Sequence, residues 1–100
     1  MNNLVLATFP AQAGKLEELK NLFRELLGDT RAFDGCISIE VYVEKDTETV
    51  HLVEDWESLE DYGKYLQWRL DTGLPALLDP ILEGGASGLK IMRCGVREDI

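Results

Sequence analysis

Basic residues are scarce in this chain, which has ten Lys and Arg against nineteen Asp and Glu. The formal net charge is −9 at pH 7, and a negative charge of this size repels nucleic acid phosphates and anionic lipid headgroups. We therefore expect neither nucleic acid nor a membrane surface among the partners.

Long hydrophobic runs are also missing, since no uncharged apolar stretch approaches the roughly 20 residues that cross a bilayer. The apolar stretch at residues 4–9 is shorter than the apolar core of a signal peptide and follows no basic segment. We predict a strand there, and a cytoplasmic protein.

The sequence contains only two cysteines, Cys36 and Cys94, and one histidine, His51. The two cysteines form no CxxC motif and have no neighbouring His, so neither a zinc site nor a redox pair is expected. Because the chain also lacks a nucleotide-binding motif, we predict no metal and no other cofactor. Both thiols should stay reduced.

The length and composition indicate a single domain over residues 1–100. One hundred residues with 45% hydrophobic and 29% charged content are enough for one core and too few for two.

The spacing of apolar residues predicts six main elements. A strand over residues 3–10 ends at Pro10, and an apolar repeat of three and four residues predicts a helix from Lys15 to Gly35. Alternation predicts a hairpin of two strands at 36–44 and 49–56. Ile37, Ile39, Val41 and Val43 should share one face, with Cys36 on the other.

A second helix is predicted to begin at Ser58, because Asp61 three residues later resembles a capping box. It should end at Gly73, before a short helix that starts near Pro75. A glycine-rich segment at 84–88 is interpreted as a flexible linker to a last strand at 89–96.

This order of elements, β-α-β-β-α-β, predicts an α+β fold of the ferredoxin-like, split βαβ type. It has one antiparallel sheet with helices over one face. No element is left for the other face, so a second copy of the chain is the simplest cover.

Three short motifs carry a resemblance to a known family. They are Gly14-Lys15 at the start of the first helix, Phe-Asp-Gly-Cys at 33–36, and Glu-Asp-Trp-Glu-Ser at 54–58. Together they resemble the antibiotic biosynthesis monooxygenase family of dimeric α+β barrel proteins, over about residues 4–68. The resemblance implies a homodimer with facing sheets and a small-molecule pocket between sheet and helices.

Enzymes of that family oxidise polycyclic phenols or quinols with molecular oxygen and use no metal or flavin. Relatives degrade haem, isomerise small metabolites or have no known activity. Many members carry a His nine residues after the Trp of the E-x-W-x-S motif, where this chain has Tyr65. The characteristic residues of the haem-degrading branch fall on Ala7, Tyr65 and roughly Pro75. None of the three is kept, so haem binding is not expected.

Six residues are the candidates for a site. Glu54 and Tyr65 are the predicted catalytic residues, because burial beside an indole raises a carboxyl pKa and a phenol can donate a hydrogen bond. The predicted substrate-binding residues are Trp56, Tyr62, Trp68 and Arg69.

Structural alternatives stay open for these residues: core packing for the aromatic rings, an ion pair for Glu54 and a surface ion pair for Arg69. His51 has the opposite strand parity to Trp56, which favours an interface or surface role. The predicted function is cofactor-independent monooxygenation of a small phenolic or quinol-type compound. The alternatives are a non-catalytic dimeric binding module and a small-metabolite isomerase.

Overall fold

The computed structural model describes residues 2–100 and has the predicted order of elements. The order β-α-β-β-α-β is that of the α+β, ferredoxin-like class, with a short helix and a 3₁₀ helix added before the last strand. The elements are β1 (Asn3–Pro10), α1 (Leu16–Ala32), β2 (Cys36–Glu44), β3 (Thr49–Trp56), α2 (Leu59–Asp71), α3 (Leu74–Leu78), a 3₁₀ helix (Gly85–Gly88) and β4 (Lys90–Val96).

The sheet has the strand order β2-β3-β1-β4, and every neighbouring pair is antiparallel. Cys36 lies on one edge strand and Cys94 on the other. Three strand spacings of roughly 4.8 Å separate the two edges, which is beyond the reach of a disulfide. The fold therefore keeps these cysteines apart within one chain.

Helix α1 packs its apolar stripe on the sheet, burying Leu19, Phe23 and Leu27. The Phe23 ring meets Phe9 of β1 edge to face, with centroids 4.8 Å apart. The helix ends at Ala32, before the predicted Gly35. Gly35 has φ +93°, and an added Cβ would lie 2.5 Å from Cβ of Asp61, so this turn requires glycine.

Strand β2 departs from the predicted alternation at its first residues. Cys36 pairs with Trp56 and Ser38 pairs with Asp55, so Ile37 is an extra residue in a β-bulge. The bulge reverses the parity: Cys36 packs against the core, while Ile37 is exposed. The prediction that Ile37 shares the face of Ile39 and that Cys36 opposes it was therefore wrong.

Strand β3 confirms its predicted parity, because Val50, Leu52, Glu54 and Trp56 are all buried beneath the helices. His51 lies on the opposite face of the sheet. Its Nδ1 is 3.1 Å from the Thr8 hydroxyl, and its Nε2 contacts the Glu44 carboxylate.

The predicted cap of α2 is present, since the Ser58 hydroxyl accepts a hydrogen bond of 3.0 Å from the Asp61 amide. The segment interpreted as a flexible linker is an ordered 3₁₀ helix instead. The Asp79 carboxylate accepts a 2.7 Å hydrogen bond from the Ala86 amide and ties this turn to the end of α3. Glycines at 84 and 85, with φ of +78° and +70°, provide a turn and not a disordered connection.

The sheet face opposite the helices is open in a single chain. Leu4, Leu6 and Val53 are half-buried there, while Tyr42 is 58% and Met92 55% exposed. Coverage of this face by a second copy stays a prediction. No helix within residues 2–100 is long and apolar enough to span a membrane.

Candidate functional site

A small cavity of about 40 Å³ lies between the sheet and the helices. Its wall is mostly apolar, with Ala7, Leu52 and Ile91 contributed by the sheet. Four polar side chains also reach it, all of them predicted site residues: Glu54, Tyr62, Tyr65 and Arg69. The structure therefore brings together one carboxyl, two phenols and one guanidinium around a small, mostly apolar space.

Glu54 is placed in this wall by the alternation of β3, and only 3% of the residue is exposed. No Lys, Arg or His within residues 2–100 forms an ion pair with it. Burial raises the pKa of the Glu54 carboxyl to about 7, and a hydrogen bond from Trp56 opposes that rise. Glu54 is therefore a buried carboxyl with no cationic partner within residues 2–100, and the alternative of an ion pair does not hold.

Trp56 is hydrogen-bonded to Glu54 and does not line the cavity. Its indole Nε1–H donates a 2.9 Å hydrogen bond to Oε1 of Glu54. The ring is fully buried, with centroids 5.5 Å from Tyr62 and 5.2 Å from Tyr65. The prediction that Trp56 lines a pocket needs correction, because the two tyrosine rings stand against the indole.

Tyr65 takes part in a chain of hydrogen bonds above the cavity. Its hydroxyl accepts a 2.9 Å hydrogen bond from Nε of Arg69 and lies 2.6 Å from the Thr30 hydroxyl. The Thr30 hydroxyl in turn donates to the carbonyl of Leu26 at 3.4 Å. Either hydroxyl can be the donor in the contact between Tyr65 and Thr30. Through its bond from Nε, the Tyr65 hydroxyl positions Arg69.

Arg69 is only 6% exposed, so the alternative of a surface ion pair is wrong. Its Nη2 donates to the Leu26 carbonyl at 2.7 Å and to the Thr30 hydroxyl at 3.0 Å. The guanidinium lies over the Trp68 ring, 4.5 Å from the centroid. Trp68 thus contacts Arg69 from outside the cavity and does not line it, which corrects its predicted place.

Tyr62 is buried beside Glu54 on the sheet side of α2. Burial raises its pKa, and the negative charge of Glu54 raises it further. The Tyr62 hydroxyl is therefore a neutral group at physiological pH. Arg93 of β4 packs over the ring at 5.3 Å from its centroid.

Thr30, whose hydroxyl contacts both Tyr65 and Arg69, was not among the predicted site residues. A signal was available, because Thr30 continues the apolar stripe of α1 three residues after Leu27. A hydroxyl in a buried stripe needs a hydrogen-bond partner and so marks a polar network. Within residues 2–100, no group of three His, Cys, Asp or Glu could hold a metal ion.

The fold and the site define a ferredoxin-like α+β domain with a carboxyl, two phenols and a guanidinium around a small apolar cavity. Residues 4–69 match the antibiotic biosynthesis monooxygenase family. The chain belongs to this family. A search of curated proteins found no significant match.

Solved structures share the fold at low sequence identity. SO0527 from Shewanella oneidensis is 22% identical with a TM-score of 0.72, and the match covers 95% of this chain and 90% of that protein. NE2512 from Nitrosomonas europaea, of unknown function, is 16% identical with a TM-score of 0.79, over 100% and 94% of the two chains. A structure named antibiotic biosynthesis monooxygenase is 15% identical with a TM-score of 0.76, over 98% and 99%.

Proposed function

We propose that the protein is a cofactor-independent monooxygenase of a small phenolic or quinol-type compound, with Glu54 as the acid–base group. The observation that carries this proposal is the isolated carboxyl of Glu54 in an apolar cavity, with a pKa of about 7. A general base works best when its pKa lies near the working pH. Enzymes of the family use molecular oxygen, and we propose it as the co-substrate here.

The chemistry can be written for an anthrone-type substrate, which has an acidic methylene group. Glu54 removes a proton from this carbon, and the resulting anion is spread over the phenolic oxygen. The carbon then transfers electrons to O₂ and forms a C–O bond, and protonation gives a hydroperoxide. Loss of water leaves a carbonyl, so that R₂CH₂ and O₂ become R₂C=O and H₂O. Glu54 gives the first proton to the peroxide, then removes the second proton from the same carbon as the O–O bond breaks, and returns that proton to the departing hydroxide as water. The carbon loses four electrons in all, and O₂ gains the same four.

The cavity must widen before such a substrate can bind. Its volume of about 40 Å³ has room for water-sized molecules, whereas small-molecule sites usually measure roughly 300 Å³ or more. Leucine side chains of α1 and α3, Leu26 and Leu74, form part of the wall. Rotamer changes of these two side chains would enlarge the site.

Oxygen uptake tests the proposal with a panel of anthrones and dihydroxynaphthalenes. We expect the wild type to consume oxygen above the uncatalysed rate and Glu54→Gln to lower turnover by about 10² to 10⁴, the range for a lost proton-transfer group. Glu57→Gln is the matched control, because Glu57 is an exposed acid just beyond β3. No uptake with any substrate, or equal turnover in Glu54→Gln, contradicts the proposal.

A second candidate is a non-catalytic binding module. The hydrogen bonds among Arg69, Tyr65 and Thr30 favour it, because a buried hydrogen-bonded network also rigidifies a binding site. Aromatic ligands would then bind tightly without oxygen uptake. A product isomeric with its substrate, formed without oxygen, would instead indicate the isomerase alternative.

A further inference from the structure

Arg69 is a buried cation with no acidic partner. No carboxylate within residues 2–100 lies within 4 Å of its guanidinium. Its hydrogen bonds to Tyr65, Thr30 and Leu26 engage Nε and Nη2. Nη1 makes no hydrogen bond within residues 2–100 and is in contact with solvent, because no buried side-chain nitrogen in that part of the chain lacks a partner. A guanidinium that has one nitrogen free to donate and no carboxylate beside it is suited to an anion supplied from outside.

We propose that the ligand of the cavity is an aromatic carboxylate, whose anionic oxygen is held by Nη1 of Arg69. This inference rests on the proposed function, because it names the substrate class of the same site. A carboxylate is favoured over an ionised phenol because it is already anionic at pH 7, whereas a phenol has a pKa near 10. The aromatic ring of the ligand would occupy the apolar part of the cavity, between Leu52 and Ile91.

The position of Arg69 also indicates how the ligand enters. A groove of about 180 Å³ lies on the outer surface between α1 and the α2–α3 connection. Arg69, Leu26 and Leu74 line both this groove and the internal cavity. These three side chains therefore form the partition between solvent and the site. If the two leucines turn aside, the combined space approaches the size of an ordinary small-molecule site.

Asp29 lines the same groove on the solvent side and is exposed. Its negative charge, like the net charge of −9, opposes an approaching anion. Asp29→Asn is therefore expected to strengthen the binding of an anionic ligand by a few fold and to leave a neutral ligand unaffected. The guanidinium of Arg69 would make anion binding favourable despite these negative charges.

Calorimetry with a matched pair of probes tests the ligand class on the intact protein. 2-Naphthoate and 2-naphthamide have nearly the same shape and differ in charge. We expect the wild type to bind the carboxylate about 10- to 100-fold more tightly, the usual effect of a hydrogen bond between charged groups. Arg69→Gln should reduce this preference to near unity, while Arg24→Gln, which changes an exposed arginine of α1, should keep it.

A second pair of variants tests the route and does not depend on the folding of Arg69→Gln. Leu74→Trp should slow the association of 2-naphthoate by at least tenfold, because Leu74 lies in the partition. Leu77→Trp is the control, since Leu77 lines the groove but not the cavity. Equal association rates in these two variants would contradict the route.

Equal affinity for the two naphthalene probes, or no binding of either, would overturn the proposed ligand class. Oxygen uptake from a neutral anthrone together with either result would leave the monooxygenase proposal intact. Preferential binding of 2-naphthoate without oxygen uptake from any substrate would support the ligand class and contradict the monooxygenase. The two proposals therefore fail in different measurements.

Discussion

The indole N–H of Trp56 donates a 2.9 Å hydrogen bond to the carboxyl of Glu54, two residues earlier on the same face of β3. The strand period of two residues places both side chains under the helices. The bond holds one oxygen of the carboxyl and stabilises its ionised form, against the effect of burial on the pKa of Glu54. Loss of this bond should therefore raise that pKa further.

Trp56→Phe tests this relationship. The variant keeps a buried aromatic ring and removes the donor, so the carboxylate loses the hydrogen bond that favours its charged form. We expect the pKa of Glu54 to rise above its wild-type value of about 7. Carbon-13 NMR of the Glu54 carboxyl during a pH titration measures the shift directly. An unchanged or lower midpoint would show that the indole does not stabilise the carboxylate.

Glu54 should also make folding stability depend on pH. Its pKa is about 7 in the folded protein against 4.5 for an ordinary glutamate, so between these values the folded state binds more protons than the unfolded state. Stability therefore falls as pH rises through this window, by at most about 3 kcal/mol. Glu54→Gln removes the titration, and its free energy of unfolding should exceed that of the wild type at pH 8 and vary less from pH 4.5 to 7. Chemical denaturation at several pH values measures both effects, and parallel curves would contradict the account.

A homodimer is expected because one sheet face is open, with Tyr42 and Met92 more than half exposed. Sedimentation at micromolar concentration should give twice the chain mass of 11.3 kDa. The dimer interface should bury about 2,000 Å² or more, as stable dimers usually do. Met92→Glu places a charge in this face and should favour the monomer. Leu70→Glu is the control, since Leu70 is an exposed leucine of α2. A monomeric wild type would refute the prediction.

Haem should not bind specifically. Ala7 and Tyr65 occupy positions where the haem-degrading relatives have other residues, and the single histidine, His51, lies on the sheet face away from the cavity. Titration of the protein with haem should give no saturable shift of the Soret band. A shift that saturates at one haem per chain would overturn this expectation and make Tyr65 a candidate ligand.

Much of the fold could be predicted from local patterns. Strand parity placed Glu54 and Trp56 on one buried face, and the Ser58 cap fixed the start of α2. The bulge at Ile37 could not be predicted, because alternation continues unbroken through 36–43 in the sequence and only the pairing with β3 reveals the extra residue. The glycines at 84–88 signal a turn, but the hydrogen bond from the Ala86 amide to Asp79 that orders it joins residues seven apart.

Only part of the candidate site could be predicted, because helical spacing does not show how two helices pack against each other. Helical spacing indicated which residues of α2 share a face, and Tyr62, Tyr65 and Arg69 do reach the cavity. It could not indicate that Arg69 turns inward to Thr30 and Leu26 of α1, since that depends on how the two helices pack. It also could not distinguish a ring that lines a cavity from one that supports the wall, which is the difference between Tyr65 and Trp56.

The pH dependence of oxygen uptake tests the central claim most directly, which is that Glu54 is the base. With an anthrone as the substrate, kcat/KM of the wild type should rise about tenfold per pH unit below a midpoint near 7 and then level off. Glu54→Gln should lower the plateau by about 10² to 10⁴ and remove this midpoint. A wild-type profile that is flat from pH 5 to 9, or a Glu54→Gln profile with the same midpoint and height, would contradict the account.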